Sequence, residues 1–590
     1  GNIFVNNGGA NFPTYLPGST ELVGTNNIAL WNHILLGSTD STGSMGPGYY
    51  NYITAANGNI FLIGDTGTST KIGNSNISNN LIVSGTITSG SDYRIKKSIK
   101  KEHPISSLVP STGPTIMWFR QDLRLADNPA LVDACGRGEI IPIYILDDEN
   151  ADSWKIGGAS RWWLHHALED LNRSLNQGLQ LYKGEASAIL SDLAHQTGAE
   201  AIVWNRCYEP WRIARDANIK SALKGQGLDV QSFNGSLLWE PWQVLKKDST
   251  PYKVFTPYYR RGCLSAVAPR QPISVPKSIN ISKTSNHSLR LEDLDLLPKI
   301  NWDGEMNARW DISEAAAHTR LDEFVMDDLQ DYREGRNFPN KPNVSRLSPY
   351  LHFGQISPNI AWHRASEAGA FVTNEQSLDT FLSELGWREF SSYLLYHFPK
   401  LPTDNLQSRF DLFPWAENTD ADLKAWQRGN TGYPLVDAGM RELYNTGYMH
   451  NRVRMVVGSF LVKNLLVHWH HGERWFWDCL VDADLASNSA SWQWIAGCGA
   501  DAAPFFRIFN PITQSEKFDK QGAYIRRYVP ELANLPDKYI HAPWLAPSEV
   551  LSAAGVGIGI DYPAPIIDIK ESREQALAAF AVTKVQPSEM

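Results

Sequence analysis

Between Thr115 and Trp204 the hydrophobic pattern of this chain alternates between two periods, and from about Ile312 it keeps only one of them. Thr115 to Phe119, Glu139 to Leu146, Leu179 to Lys183 and Ala199 to Trp204 are apolar runs of strand length. Between them, Ala159 to Gln177 and Ser187 to Gly198 carry apolar residues three and four apart, as amphipathic helices do. Strands alternating with helices predict a parallel, doubly wound α/β sheet, because crossover helices must cover both of its faces. No G-x-G-x-x-G follows the first run, so a nicotinamide site of the usual kind is not expected. From Ile312 to about Tyr528 the strand pattern is gone, and helical stretches such as Leu378 to His397 and Asp437 to Leu466 predict an all-α half. The stretch between, rich in Pro, Ser, Lys and Asp, reads as a long connector wrapping the surface. The expected plan is an extension over 1–112, an α/β domain over 113–244, a connector over 245–311 and a helical domain over 312–590, in keeping with a length of 590 residues.

The first 90 residues are a different material, rich in Gly, Asn, Ser and Thr, with only Glu21, Asp40, Asp65 and Lys71 charged. Asn59 to Gly64 and Leu81 to Ile87 read as short strands between turns. Ser91-Asp92-Tyr93-Arg94-Ile95-Lys96-Lys97 resembles the opening of the chaperone domain that follows viral tail-fibre β-structures. The extension is therefore β-prone or weakly ordered. Two readings stand, an appendage unrelated to catalysis and a β-rich attachment module that trimerises.

Charge and cysteine usage narrow the function classes. A net charge of −9 argues against a protein that coats nucleic acid with its whole surface, so any DNA contact must use a local basic patch. The five cysteines are far apart, with no C-x-x-C and no histidine at zinc spacing, which suggests reduced thiols and no metal site. No run of eighteen apolar residues and no secretion signal is visible, so a soluble, cytoplasmic protein is expected. The 21 tryptophans supply buried area and stacking surface before anything else.

The most informative stretch runs from Tyr448 to Trp494. It reads Tyr448-Met449-His450-Asn451-Arg452-Val453-Arg454-Met455, then Val467-His468-Trp469, then Asp482-Ala483-Asp484, then Asn488, then Trp492-Gln493-Trp494. In order and spacing this resembles the flavin-binding half of the photolyase and cryptochrome family, most closely the bacterial photolyases that repair cyclobutane pyrimidine dimers. The resemblance implies flavin adenine dinucleotide (FAD) as cofactor and UV-damaged DNA as partner, on a catalytic core that works as a monomer.

Residue by residue, it implies that Tyr332 and the turn Ser345-Arg346-Leu347-Ser348 hold the diphosphate. Asp482 and Asp484 match the family's acids beside the ring and ribose, and Arg454 matches the arginine that pairs with the first of them. Asn488 matches the residue facing the flavin N5, where plant cryptochromes carry an acid. Glu384 and Trp387 match the residues that hydrogen-bond and stack on the extruded dimer, while Asn451 and Met455, at i and i+4, line the other wall. A (6-4) photolyase would carry histidines at those two positions. Arg336, Arg452 and Arg507, with Lys517, match phosphate grips that position the duplex without reading bases. Trp492, Trp469 and Trp415 match an electron relay from flavin to surface. His468, His470 and His471 do not share one helical face, so a metal is not inferred from them.

The antenna is less closely matched. The family's adjacent Asn and Glu ligands of a folate fall at Trp211 and Arg212 here. Ser236 to Trp242 and Arg161-Trp162-Trp163 resemble plant-cryptochrome-related bacterial photolyases, which implies 5,10-methenyltetrahydrofolate with Glu240 as a ligand. The expected activity is light-driven splitting of cyclobutane dimers by deoxyribodipyrimidine photolyase. The alternatives are a cryptochrome-like blue-light photoreceptor, a (6-4) photolyase, and a fibre protein defined by its first hundred residues.

Overall fold

The computed structural model describes residues 113–282, 288–369, 374–502 and 506–584, together with two short strands, β1 (Tyr52–Thr54) and β2 (Ile60–Leu62). The chain divides into two units, Gly1–Ser107 and Leu108–Met590. In the first, β1 and β2 pair antiparallel with Ile53 opposite Phe61. The strand expected over Asn59 to Gly64 contains β2, whereas those expected over Leu81 to Ile87 and the tail-fibre-like Ser91 to Lys97 lie outside the described residues.

The second unit opens with a five-stranded sheet: β3 (Thr115–Phe119), β4 (Ile140–Leu146), β5 (Gln180–Lys183), β6 (Ala201–Asn205) and β7 (Asp229–Phe233). Their order is β5-β4-β3-β6-β7 and every pair is parallel. This is the doubly wound α/β sheet that the alternating periods predict. On one face Ile116, Trp118, Ile143, Ile202, Trp204 and Val230 pack under the Ala186–Thr197 and Pro210–Gly225 helices. On the other, Met117, Phe119 and Val203 join the Pro129–Arg137 and Gly158–Ser174 helices in a core continuous with the helical half. Glu389 helps to lock the two halves together: its buried carboxylate accepts the backbone N–H groups of Leu238 (2.8 Å) and Trp239 (3.1 Å).

Among the described residues, every named element from Glu314 to Val582 is helical, and one isolated bridge pairs Ile558 with Tyr562. Two expectations need correction. The helical stretch expected over Asp437 to Leu466 is three pieces, the Pro434–Thr446 helix, the Asn451–Ser459 helix and a π-helical turn at Phe460–Asn464. Gly447, in the left-handed region at φ 68°, ends the first piece, a conformation that costs glycine least. The connector does not merely wrap the surface. Phe255, Tyr258 and Tyr259 are buried, and Tyr258 packs on Phe390 and Tyr393 of the long Glu375–His397 helix at 5.0 and 4.6 Å between ring centroids. Tyr258 and Tyr259 lie in a π-helical turn, Pro257–Gly262, whose spacing follows neither the strand nor the α-helical period, so the sequence pattern looks weak there.

Candidate functional site

The Asn451–Ser459 helix places Asn451 and Met455 one turn apart, and both open onto a cavity of about 340 Å3. Arg333, Arg336, Asn337, Thr380 and Arg452 line the rest of it. Glu384 stands one turn beyond Thr380 on the Glu375–His397 helix, and its carboxylate is ion-paired with the Arg336 guanidinium at the cavity edge. Arg452 reaches from the opposite side and donates to the Asn337 side chain. Its guanidinium also lies 4.5 Å above the Phe518 ring, with the Lys517 ammonium 5.1 Å from the same ring. Arg507 is placed elsewhere, exposed and 5.8 Å over the Trp494 ring, and does not line the cavity. Trp387 does not line it either. One face of its indole is covered by Phe255, with ring centroids 3.7 Å apart and planes 11° from parallel, which leaves only the other face for a ligand.

Behind the Asn451 wall lies a cluster of charge. The Arg454 guanidinium donates to both Asp482 oxygens (3.1 and 2.9 Å) and to the Met449 carbonyl (2.7 Å). The Ser348 hydroxyl donates to Asp482 at 2.6 Å. Asp484 caps the Leu485–Ala496 helix by accepting the Ser487 N–H (2.8 Å), and Asn488, one turn on, donates from Nδ2 to the Glu473 carbonyl (2.9 Å). Tyr332 is buried beneath Arg336, which lies 5.3 Å over its ring. Ser345 accepts the Leu347 N–H in a turn that holds Arg346 at φ 51°, a strained backbone for a residue with a side chain. His352, buried beside Asp482 and Asp484, is held below its usual pKa by desolvation, which outweighs the two acids.

Of the three tryptophans named for a relay, Trp492 and Trp469 are buried and Trp415 is half-buried. Trp492 is buried, with its indole lying on Gly472 so closely that a Cβ there would overlap the ring. Trp469 opens the same Trp469–Cys479 helix, one turn before Gly472, and donates to the Asn405 side chain at 3.0 Å. The His468 ring bridges Trp469 (5.7 Å) and the half-buried Trp415 (4.8 Å).

Residues 115–277 match the family DNA photolyase, and residues 381–582 match the FAD binding domain of DNA photolyase. The chain is 48% identical over 478 residues to the deoxyribodipyrimidine photo-lyase of Agrobacterium fabrum, an alignment covering 80% of this chain and 98% of that protein. It is 39% identical to cryptochrome-2 of Arabidopsis thaliana, over 80% of this chain and 79% of the relative. Its fold is similar to the crystal structure of a bacterial class III photolyase from Agrobacterium tumefaciens, with a TM-score of 0.76, 48% identity and coverage of 81% and 100%. The chain belongs to the photolyase and cryptochrome family.

As a member of that family it carries an FAD-binding domain, and its own residues suit a dinucleotide. Arg309 Nε, Arg346 Nε and His450 Nε2 are buried N–H or potential N–H groups with no hydrogen-bond partner among the described residues, as expected where a polyanionic group with many acceptor oxygens belongs. Tyr332 and Tyr448 add aromatic surface in the same region. Arg309 and Phe255 had no motif to announce them in the sequence, since both lie in the connector, away from the family's recognisable runs. His450 stands inside the quoted stretch but carries no role from the resemblance.

In the family's α/β half, Glu240 is already engaged: Oε1 accepts Arg206 Nε and the Tyr208 hydroxyl, each at 2.7 Å, while the side chain caps the Pro241–Gln243 turn. A second cavity lies at the carboxyl ends of β3 and β4, where Arg120, Arg212 and Arg215 stack on Trp118 and Trp211. At about 50 Å3 it is smaller than the several hundred Å3 that a polycyclic chromophore requires. Among the described residues no three His, Cys, Asp or Glu side chains are grouped as a metal site needs, and no helix is long and apolar enough to cross a membrane.

Proposed function

We propose that this chain is a deoxyribodipyrimidine photo-lyase that binds UV-damaged DNA and splits cyclobutane pyrimidine dimers with blue light. The observation that carries this reading is the cavity of about 340 Å3 bounded by Asn451, Met455, Thr380 and Arg336, with Glu384 at its edge. Its size and mixed lining suit two stacked pyrimidine rings, and a dimer must leave the duplex to enter it. Met455 and the free face of Trp387 give the rings apolar surface, while Asn451 and Glu384 offer partners for their carbonyl and imide edges. Arg336, Arg452 and Lys517, with Arg507 farther out, give a negatively charged protein the local cationic rim that phosphates need.

Tyr332, Ser345, Arg346, Leu347, Ser348, Arg454, Asp482, Asp484 and Asn488 are the residues that would hold FAD. Reduced FAD, if held by these residues, would supply light-driven one-electron chemistry to the dimer, while the protein supplies position and water exclusion. Asp482 fixes the Arg454 guanidinium by two hydrogen bonds, so that this charge keeps its place without help from solvent. Asn488 has its Nδ2 committed to Glu473, which turns its carbonyl oxygen in a defined direction. Trp492, Trp469 and Trp415 are the proposed path for electrons from the surface, and 5,10-methenyltetrahydrofolate the proposed antenna, with Glu240 as a ligand once one of its present partners yields.

The two cavity-wall positions carry Asn451 and Met455 and therefore no proton-donating imidazole, which argues against a (6-4) photolyase. A photoreceptor without repair is the second reading, favoured by the 39% identity to a cryptochrome. The same proposal makes 113–244 the antenna domain, 312–590 the catalytic domain and the core a cytoplasmic monomer. Residues 1–112 would then be a fibre-like extension outside the chemistry. Binding of three matched oligonucleotides, carrying a cyclobutane dimer, a (6-4) product or no lesion, tests the substrate class. A preference for the cyclobutane lesion is expected, and equal affinity for all three contradicts the proposal.

A further inference from the structure

His450 sits in the turn that follows Gly447 and opens the Asn451–Ser459 helix, with 2% of its surface exposed. Its backbone N–H donates to Glu442 Oε2 (3.2 Å), and its Nδ1 accepts the Arg452 backbone N–H (3.2 Å), capping the helix. A neutral imidazole carries one ring proton, so an accepting Nδ1 puts that proton on Nε2. The Nε2–H is buried and has no hydrogen-bond partner among the described residues. Burial first, then the charges of Arg452, Arg336, Arg346 and Arg454, push the ring down to about 3, so it stays neutral and keeps this tautomer.

The surroundings say what kind of acceptor is missing. Arg336 and Arg454 are neutralised by Glu384 and Asp482, and Arg452 is held by Asn337. Arg346 and Arg309 each keep a buried Nε with no hydrogen-bond partner among the described residues, and each lies within electrostatic reach of the other. Glu442 is the anion nearby, with Oε1 3.8 Å from an Arg309 guanidinium nitrogen, yet it leaves the Arg309 Nε, Arg346 Nε and His450 Nε2 donors, two of them on cationic groups, without an acceptor among the described residues. Oxygens that carry negative charge and accept several N–H bonds at once are those of phosphate.

We infer that His450 is a further cofactor-binding residue, whose Nε2–H donates to a phosphate oxygen of the FAD diphosphate in a cradle shared with Arg346 and Arg309. This rests on the reading above that the chain holds FAD. The helix cap and the donor are separate functions of one ring: Nδ1 positions the Asn451 wall and Nε2 faces the cofactor. The lesion and its cofactor would therefore be held in register by one imidazole.

His450→Asn separates the two functions, because asparagine is a favoured helix cap but has no donor at the reach of Nε2. Flavin-depleted full-length protein, native and variant, is titrated with FAD and with riboflavin, which has no phosphate. The expected result is FAD affinity lowered about tenfold, riboflavin affinity unchanged and an unchanged melting temperature of the flavin-free variant. Unchanged FAD affinity, or an equal loss for both flavins, overturns the inference. Should the variant fail to fold, the native protein with 15N-labelled histidine still decides it: the His450 Nε2–H resonance should move downfield on adding FAD and not on adding riboflavin, and no FAD-specific shift overturns it. If the native protein binds neither flavin, the FAD reading itself falls.

Discussion

The Arg336 guanidinium closes onto the Glu384 carboxylate at the edge of the cavity formed by Asn451 and Met455. A lesion that hydrogen-bonds Glu384 must therefore share or displace an existing partner, and an arginine so released is free for a flanking phosphate.

Glu384→Ala removes both the acceptor for the lesion and the partner of Arg336. Binding of a dimer-containing oligonucleotide should weaken by about 1 to 3 kcal/mol, the usual cost of leaving a buried polar edge unpaired. A fluorescence-anisotropy titration measures it, and an unchanged dissociation constant contradicts the assignment of Glu384.

The rim cations make a separate prediction. Lesion affinity should fall with rising salt, and Arg452→Ala should reduce the slope of log K against log salt by about one unit, as expected for one lost phosphate contact. A flat salt series for the native protein rules out Arg336, Arg452 and Arg507 as phosphate grips.

Phe255 bears on Trp387 from behind. Phe255→Leu keeps apolar volume but removes the ring stacked on the Trp387 indole. Melting temperature should fall by a few degrees and dimer affinity should drop with it, while affinity for undamaged DNA stays the same. Loss of affinity for both DNAs alike would place Phe255 in general stability only.

Stability should depend on pH through Glu473. Burial pushes its carboxyl up to about 8, against the hydrogen bond from Ser489 and the nearby Arg474, so the folded state keeps a proton that the unfolded chain, with a carboxyl near 4.3, releases. The associated stability is fully present below about 4.3 and is lost as pH rises toward and through about 8. Glu389, pushed up to about 7 by burial, acts in the same direction. Melting curves from pH 5.5 to 8.5 should slope downward, and Glu473→Gln should flatten them. An identical slope in the variant would contradict this assignment.

Much of this was legible in the sequence because burial on both faces of a parallel sheet writes long apolar runs, which is why β3 to β6 were visible from residues 115 to 205. β7 was not, since in Asp-Val-Gln-Ser-Phe only Val230 is fully buried at the sheet edge. The Pro210–Gly225 helix was hidden for a similar reason, with only Arg215, Ile219 and Leu223 buried along its length. The family resemblance named Asn451 and Met455 as one wall, their spacing of four is consistent with one helix face, and both line one cavity. Arg309, Phe255 and the buried, unpartnered Nε2 of His450 could not be read, because each depends on its surroundings in the folded chain, built from segments distant in sequence. The Arg336–Glu384 ion pair spans 48 residues and was equally invisible to local pattern.

The most direct measurement is repair of an oligonucleotide carrying one thymine dimer by the FAD-loaded, chemically reduced protein, with and without blue light, followed by chromatography of the strand. The account predicts restored thymines only in the illuminated sample, and little repair by Glu384→Ala. An intact dimer after illumination of the reduced, flavin-loaded protein would contradict it.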